Sequence, residues 1–205
     1  MRSVTKPAGD DPSAQFDAAL VEAWNVLATA KNHEQGHLAR RLKRFGDFRW
    51  SPYAGLLIGR VEDHQAFFEQ LRRCEEIEPG FLLPLARLVP LDRTFFFTAD
   101  TLIPLLKAEM PGYANLIGNG SFHVRVERRG HKDKIHPRSI EEALAGAVIE
   151  SSAQRGCVPH VDFRDPDCIV VVEIVGDECG IGLITRLLRR QYPFYFVCPY
   201  DELKS

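Results

Sequence analysis

The sequence lacks the segments that direct a protein out of the cytoplasm or hold it in a membrane. Its first 13 residues contain proline, glycine and charge but no apolar run, which excludes a signal peptide. No apolar run approaches the roughly 20 residues that a membrane-spanning helix needs. The five cysteines are an odd number and form no C-x-x-C pair, so the disulfide framework of a secreted protein is not expected. We therefore predict a cytoplasmic protein.

Familiar catalytic motifs are missing as well. There is no G-x-S-x-G nucleophile motif, and the glycines at 118 and 120 are followed neither by a third glycine nor by a Walker lysine. Asp165 and Asp167 flank a proline, which is typical of a turn. Cys157, His160 and Asp162 lie close in sequence, but without a recognised zinc-ligand spacing. We expect no catalysis and no cofactor, and a metal-dependent enzyme using these last three residues is the alternative.

The charge of the chain is small overall but unevenly distributed. The formal net charge is −2, which disfavours a generic nucleic-acid-binding protein because such domains are usually basic. Residues 121–138, however, contain six lysines and arginines against two acidic residues, a local charge of +4. A segregated basic patch can attract a polyanion even on a nearly neutral protein.

The first half of the chain has the pattern of one small α+β module. Residues 1–15 are predicted to be a disordered tail because they are rich in proline, glycine and charge. Residues 16–97 alternate as strand, helix, strand, strand, helix, strand, which is the ferredoxin-like order. The predicted segments are 24–29, 32–45, 48–53, 55–61, a helix capped by Asp63, and a strand from Leu85 to Phe96 bent at Pro90.

Residues 98–205 form the second predicted unit, an α/β domain. A helix from 100 to 109 is expected to end at Pro111. Residues 122–129 alternate with a period of two, which places Phe122, Val124 and Val126 inward and His123, Arg125 and Glu127 on a wetter face. A loop, 131–136, precedes a helix in which Ser139 and Glu142 have capping-box spacing. An apolar central strand, 168–175, and a short basic helix complete the domain.

The basic residues of this second unit form two clusters that are candidates for binding RNA. Arginine, which predominates over lysine, suits bidentate contact with phosphate. We expect the two clusters to lie side by side and to span a nucleic-acid backbone; a merely solvated surface is the alternative. The candidates are Arg125, Arg128, Arg129, His131, Lys132, Lys134 and Arg138 in the first cluster, and Arg186, Arg189 and Arg190 in the second.

Several motifs of the second unit together resemble the THUMP domain. They are F-H-V-R-V-E-R-R-G-H at 122–131, a following helix, V-D-F-R-D-P-D at 161–167 and V-V-V-E-I-V at 170–175. With a ferredoxin-like module in front, this layout is similar to that of tRNA-modifying proteins with THUMP domains. The resemblance implies that these modules hold tRNA while a separate domain thiolates, methylates or pseudouridylates it. It also implies that Arg125, Arg128, Arg129 and His131 face the RNA.

The resemblance implies a function without chemistry of its own. No catalytic domain is recognisable up to Ser205, so the chain looks like the standalone type that presents tRNA to an RNA cytidine N4-acetyltransferase. An RNA-binding subunit for thiolation or methylation is a second possibility. A third is a ligand-sensing or oligomer-forming ferredoxin-like module with Phe95, Phe96 and Phe97 at an interface. Whether the basic helix face Arg40–Arg44 also contacts RNA stays open.

Overall fold

The computed structural model describes residues 24–194, so the predicted tail at 1–15 lies outside the described residues. The mixed α+β class is confirmed. No helix in residues 24–194 has the length and apolar character needed to cross a bilayer. The elements are β1 (Val26–Ala30), α1 (Gln35–Leu42), β2 (Asp47–Trp50), β3 (Leu56–Arg60), α2 (His64–Ile77), β4 (Leu85–Pro90), β5 (Arg93–Phe96), α3 (Leu102–Ile117), β6 (Ser121–Arg129), α4 (Pro137–Ala153), β7 (His160–Val161), β8 (Cys168–Val175), β9 (Glu178–Thr185) and α5 (Arg186–Gln191).

The first sheet has the strand order β2-β3-β1-β4, and all its neighbours are antiparallel. Its elements follow the predicted order of strand, helix, strand, strand, helix, strand. Helices α1 and α2 bury Leu38, Leu42 and Leu71 against one face of this sheet. The side chain of Asp63 caps α2 as predicted, because its Oδ1 accepts a hydrogen bond from the Ala66 amide.

The second sheet has the order β5-β9-β8-β6-β7. Strand β6 runs parallel to both β7 and β8, and the other neighbours are antiparallel. Helices α3 and α4 cover one face of the sheet, where Leu106 and Leu144 pack among residues of β6 and β8. Every residue of β8 is buried, as its apolar sequence predicts for a central strand.

The two sheets pack face to face through a third apolar cluster. Leu27 and Val89 of the first sheet meet Ile169, Val171 and Ile184 of the second. A glycine makes the close approach possible, because a Cβ at Gly182 would lie 2.7 Å from the Pro90 carbonyl oxygen. Each sheet therefore has helices on one face and buries its opposite face against the other sheet.

The predicted single strand from Leu85 to Phe96 is wrong, because the segment forms two strands in different sheets. Strand β4 ends at Pro90 in the first sheet, and β5 pairs with β9 in the second. Leu91, between them, is fully buried. The chain therefore changes sheet at residues 91–92, before the predicted boundary after residue 97.

Two helix boundaries also differ from prediction. Helix α3 continues through Pro111 to Ile117, because the turns beyond the proline bury Tyr113 and Ala114 in the core. The helix ends before Gly118, whose φ of 58° is one that favours glycine. The capping box at the start of α4 does not form: the N-cap residue is His136, without a side-chain cap.

Candidate nucleic-acid interface

Strand β6 divides its side chains between two faces, and both are largely buried. Phe122, Val124 and Val126 enter the core as predicted. The prediction of a wet opposite face is wrong at His123, of which only 8% is exposed. Its ring stacks on that of Phe163 with centroids 5.8 Å apart. The error arises because the other face of the sheet is itself covered by neighbouring structure.

Arg125 forms an ion pair along its own strand. Its Nη2 lies 2.8 Å from Oε1 of Glu127, two residues further on. Only 12% of the Arg125 side chain is exposed. The guanidinium is thus held by a carboxylate and largely shielded from solvent, and a phosphate would have to compete with that carboxylate.

Arg129 contributes to a buried ion cluster between the sheets. Its Nη1 lies 2.9 Å from Oε2 of Glu173, whose side chain is fully buried. Arg87, on β4 of the first sheet, donates to the other carboxylate oxygen. Burial raises the pKa of Glu173, while the two guanidinium groups act in the opposite direction. This cluster links β4, β6 and β8, so Arg129 has a structural role across the sheet interface.

Arg128 and His131 each make a hydrogen bond within the protein. Arg128 Nη1 donates to the Gly130 carbonyl oxygen at 2.8 Å. His131 Nε2 lies 2.8 Å from Oδ1 of Asp177, in the turn between β8 and β9. The His131 ring also contacts Phe97 edge to face. These contacts fix the start of the loop that leads to α4.

The exposed positive charge near this end of β6 lies in the loop and at the start of α4. We name Lys132, Lys134 and Arg138 the loop group. Both lysines are exposed, and 86% of the Arg138 side chain is exposed despite its pair with Glu142. These are the members of the first predicted cluster best placed to meet a polyanion.

The second predicted cluster is anchored to the turn before β8. Arg186 pairs with Asp167 at 2.7 Å, and Arg189 pairs with Asp165 at 3.5 Å. Hydrogen bonds from the Ser121 amide and hydroxyl lower the pKa of Asp167, and Arg186 adds to the effect. Arg190 is exposed.

The predicted adjacency of the two clusters fails for the loop group. Register places Phe122 beside Cys168 and Arg129 beside Val175 in the parallel pair. Since α5 follows the residue paired with Cys168, its arginines lie at the opposite end of the sheet from the loop group. Seven strand residues separate those ends, a distance of about 23 Å at roughly 3.3 Å per residue.

A cleft of about 550 Å³ lies beside β6, between these two ends. It exists because β7 contains two residues while β6 contains nine, so most of this edge of β6 has no strand beside it in the described chain. The cleft was not predicted from the sequence, although Val161 and Phe163 alternate with polar residues and gave a weak signal of a sheet edge. Its lining residues are His123, Val124, Arg138, Glu141, Glu142, Ala145, Val161, Phe163 and Arg164.

A metal site at Cys157, His160 and Asp162 finds no support in the geometry. Within residues 24–194, no three histidine, cysteine or acidic side chains are grouped so that they could hold a metal ion. Oδ1 of Asp162 instead accepts a hydrogen bond from the Arg164 amide, which is a turn contact.

Comparison with known families and structures identifies the second unit. Residues 108–184 match the family model described as the THUMP domain, and this segment runs from α3 to the end of β9. None of the curated proteins compared with the chain matches it.

Solved structures with the same fold are larger proteins. TrmN from Thermus thermophilus is 18% identical, with a TM-score of 0.56 over 80% of this chain and 47% of its own. The protein PH1313 from Pyrococcus horikoshii is 12% identical, with a TM-score of 0.54 over 80% and 55%. A 4-thiouridine synthetase solved with RNA and ATP is 12% identical, with a TM-score of 0.52 over 79% and 41%. The chain thus spans about half the length of the structures it matches.

Proposed function

We propose, from the premise that the chain contains a THUMP domain, that it binds tRNA and presents it to a separate modification enzyme. The observation that supports this most is the match of residues 108–184 to the THUMP family model, together with exposed cations at both ends of the matched sheet. Within this proposal the partner is an RNA cytidine N4-acetyltransferase, and the chain itself performs no catalysis.

The proposal assigns fewer residues to RNA contact than the sequence predicted. The loop group and Arg190 are exposed and can meet phosphates without breaking an interior contact. Arg129 is bound to the buried Glu173, so its loss would disturb the fold before it affected RNA. Recognition by shape and backbone is expected, because the deep groove of A-form RNA hides most base edges from side chains.

Salt dependence of tRNA binding tests the proposal directly. Each phosphate contact releases counterions and contributes a slope of about −0.9 to the plot of log K against log salt. Replacing Lys132 and Lys134 together by alanine should therefore flatten the slope by about 2. A matched control replaces Lys31 and Lys107, which are also exposed but lie elsewhere in the fold, and should leave the slope unchanged. Equal flattening by both variants, or no binding of tRNA by the wild-type chain, contradicts the proposal.

The identity of the modification is tested by reconstitution. Purified RNA cytidine acetyltransferase is incubated with tRNA and acetyl-coenzyme A, with and without this chain, and the nucleosides are measured by mass spectrometry. The proposal expects N4-acetylcytidine to increase when the chain is added and to be absent with the chain alone. Modification by the chain alone would contradict the adaptor role.

Support of another modification enzyme is the second candidate function. It is favoured by the similarity in fold to TrmN and to a 4-thiouridine synthetase that was solved with RNA. Parallel incubations with a tRNA methyltransferase and with a tRNA thiolation enzyme discriminate these possibilities. Stimulation of one of them, and none of acetylation, would favour the second candidate.

A further inference from the structure

Two large aliphatic side chains protrude from the segment that joins α2 to β4. Ile77, the last residue of α2, is 84% exposed, and Leu83 is 66% exposed. A single exposed apolar residue is ordinary on a protein surface, but apolar residues grouped together there are typical of a surface that binds another protein. The segment 77–83 therefore exposes apolar surface at one end of the first unit.

The segment that carries these side chains is held in place by its neighbours. The Glu75 carboxylate accepts hydrogen bonds from the Gly80 amide at 2.9 Å and from the Leu82 amide at 2.6 Å. Arg41 of α1 donates to the carbonyl oxygens of Gly80 and Phe81. The φ of Gly80 is 92°, in the region that favours glycine. Because this backbone is already ordered, a binding partner would not have to order it.

Helix α1 places cations beside this segment. The Phe81 ring contacts two guanidinium groups, since Cζ of Arg41 lies 5.2 Å and Cζ of Arg44 lies 4.5 Å from its centroid. Arg44 Nη2 also lies 3.0 Å from Sγ of Cys74, one helical turn before the end of α2. Arg40 and Arg44 are neighbours on successive turns of α1, and both are exposed. Cations and aliphatic side chains thus share one surface, which we name the α1 patch: Arg40, Arg44, Ile77 and Leu83.

The α1 patch lies in a positively charged part of the chain. Residues 31–45 contain five lysines and arginines against one acidic residue, a local charge of +4. On α2, Glu69 and Glu76 are both paired with Arg72, so their charges are largely balanced. Glu78, directly after α2, is exposed and opposes the positive charge. A surface complementary to the patch would therefore be acidic.

The composition of the α1 patch favours a protein partner over RNA. Proteins hold RNA through its phosphates and by stacking bases on aromatic rings, and protruding isoleucine and leucine side chains serve neither contact. Arginine beside apolar surface is instead typical of protein interfaces. The patch is also remote from α4 and the loop group, because α1 and α2 cover the outer face of the first sheet while α3 and α4 cover the outer face of the second.

We propose that the α1 patch docks the modification enzyme, through a surface of that enzyme in which acidic side chains surround an apolar pocket. Leu83 and Ile77 enter the pocket, and Arg40 and Arg44 contact the acidic side chains. The inference rests on the proposed adaptor function and gives it a division of labour. The first unit holds the enzyme while the second unit holds the RNA.

The test measures binding of the full chain to the enzyme without RNA. The purified acetyltransferase, methyltransferase and thiolation enzyme named above are immobilised in turn, and association and dissociation of the chain are followed by surface plasmon resonance. The wild-type chain should bind one of them. Added salt should slow its association, because attraction between opposite charges acts mainly on that rate.

Three substitutions at the patch have different expected effects. Leu83→Asp should weaken enzyme binding at least about tenfold, because burial of a leucine side chain contributes that much to an affinity. Arg40→Glu should slow association and reduce its dependence on salt. Glu78→Lys should accelerate association by removing the opposing charge, a gain that an unfolded variant could not produce.

Matched controls separate the patch from the rest of the surface. Leu116 is also 66% exposed but lies on α3, so Leu116→Asp should leave enzyme binding unchanged. The variant with both Lys132 and Lys134 replaced by alanine should bind the enzyme normally, although its tRNA binding has a flatter salt slope. Leu83→Asp should show the reverse, with normal tRNA binding and weakened enzyme binding.

The possible failures can be told apart. A wild-type chain that binds no tRNA refutes the proposed function, whatever the enzyme measurement gives. A chain that binds tRNA but none of the three enzymes, or that loses enzyme binding equally with Leu83→Asp and Leu116→Asp, overturns the docking assignment alone. Weaker tRNA binding by Leu83→Asp would make the patch an RNA contact, and a lower mass of this variant in sedimentation would make it an interface between two copies; either result overturns the assignment.

Discussion

Removal of both cations around Glu173 should destabilise the protein in a strongly pH-dependent way. The change is Arg87→Met together with Arg129→Met, which leaves the carboxylate of Glu173 fully buried without a partner of opposite charge. Removing the partner of a buried ion typically costs about 3–5 kcal/mol. For a protein of this size, that corresponds to a melting temperature lower by roughly 6–20 °C.

The pH dependence follows from the direction of the Glu173 pKa shift. Burial already raises this pKa, and loss of two guanidinium groups raises it further. The pKa of Glu173 in the folded state is above its value of about 4.3 in the unfolded chain. The contribution of this group to the free energy of unfolding is therefore fully present below about pH 4.3 and is lost as pH rises through the folded-state pKa. The deficit of the double variant should therefore be small at pH 4 and largest at pH 8.

Urea denaturation can follow this effect through the two tryptophans. Trp24 lies between the sheets and donates to Oε2 of Glu178 at 2.7 Å, so its fluorescence reports on the interface that the ion cluster links. Adding Glu173→Met to the double variant should recover most of the loss, because an apolar replacement of the whole cluster leaves no buried charge. A deficit below about 1 kcal/mol, independent of pH between 5 and 8, or a triple variant no more stable than the double one, would refute the reasoning.

Three further stability predictions follow from the structure. Asp63→Ala should cost about 1 kcal/mol in urea denaturation by removing the cap of α2, whereas Asp63→Asn should cost less. Gly182→Ala should cost about 1–3 kcal/mol through its clash with Pro90, while Gly146→Ala, in an open position on α4, should stabilise by roughly 0.5–1 kcal/mol. Because burial lowers the pKa of His123, the wild type should lose stability relative to His123→Gln as pH falls below about 6.5; equal pH profiles would contradict this.

Periodicity predicted the parts of the fold that depend on one face of one element. Phe122, Val124 and Val126 are buried as predicted, because alternate residues of a strand always point to the same face of the sheet. The cap at Asp63 was equally local. The segment around Pro90 was misread because strand propensity does not specify which sheet receives a strand, and β4 and β5 join different ones.

The candidate site was harder to predict, since sequence shows a charge but not its partner. Arg129 looked available for phosphate, whereas it is bound to Glu173 from a strand 44 residues further along. The signal that could have revealed this is Glu173 itself. An acidic residue inside an apolar central strand must be buried, and a buried carboxylate requires a cation or a proton.

The change of sheet between β4 and β5 decides where the polypeptide can be divided. A recombinant fragment that begins at residue 98 retains the whole THUMP match but loses β5, and so leaves unpaired the four residues of β9, Glu178–Ile181, that pair with it. Such an edge promotes self-association. Starting at residue 91 would restore β5, but it would still uncover Ile169, Val171 and Ile184. Solubility therefore favours expressing the two sheets as a single unit.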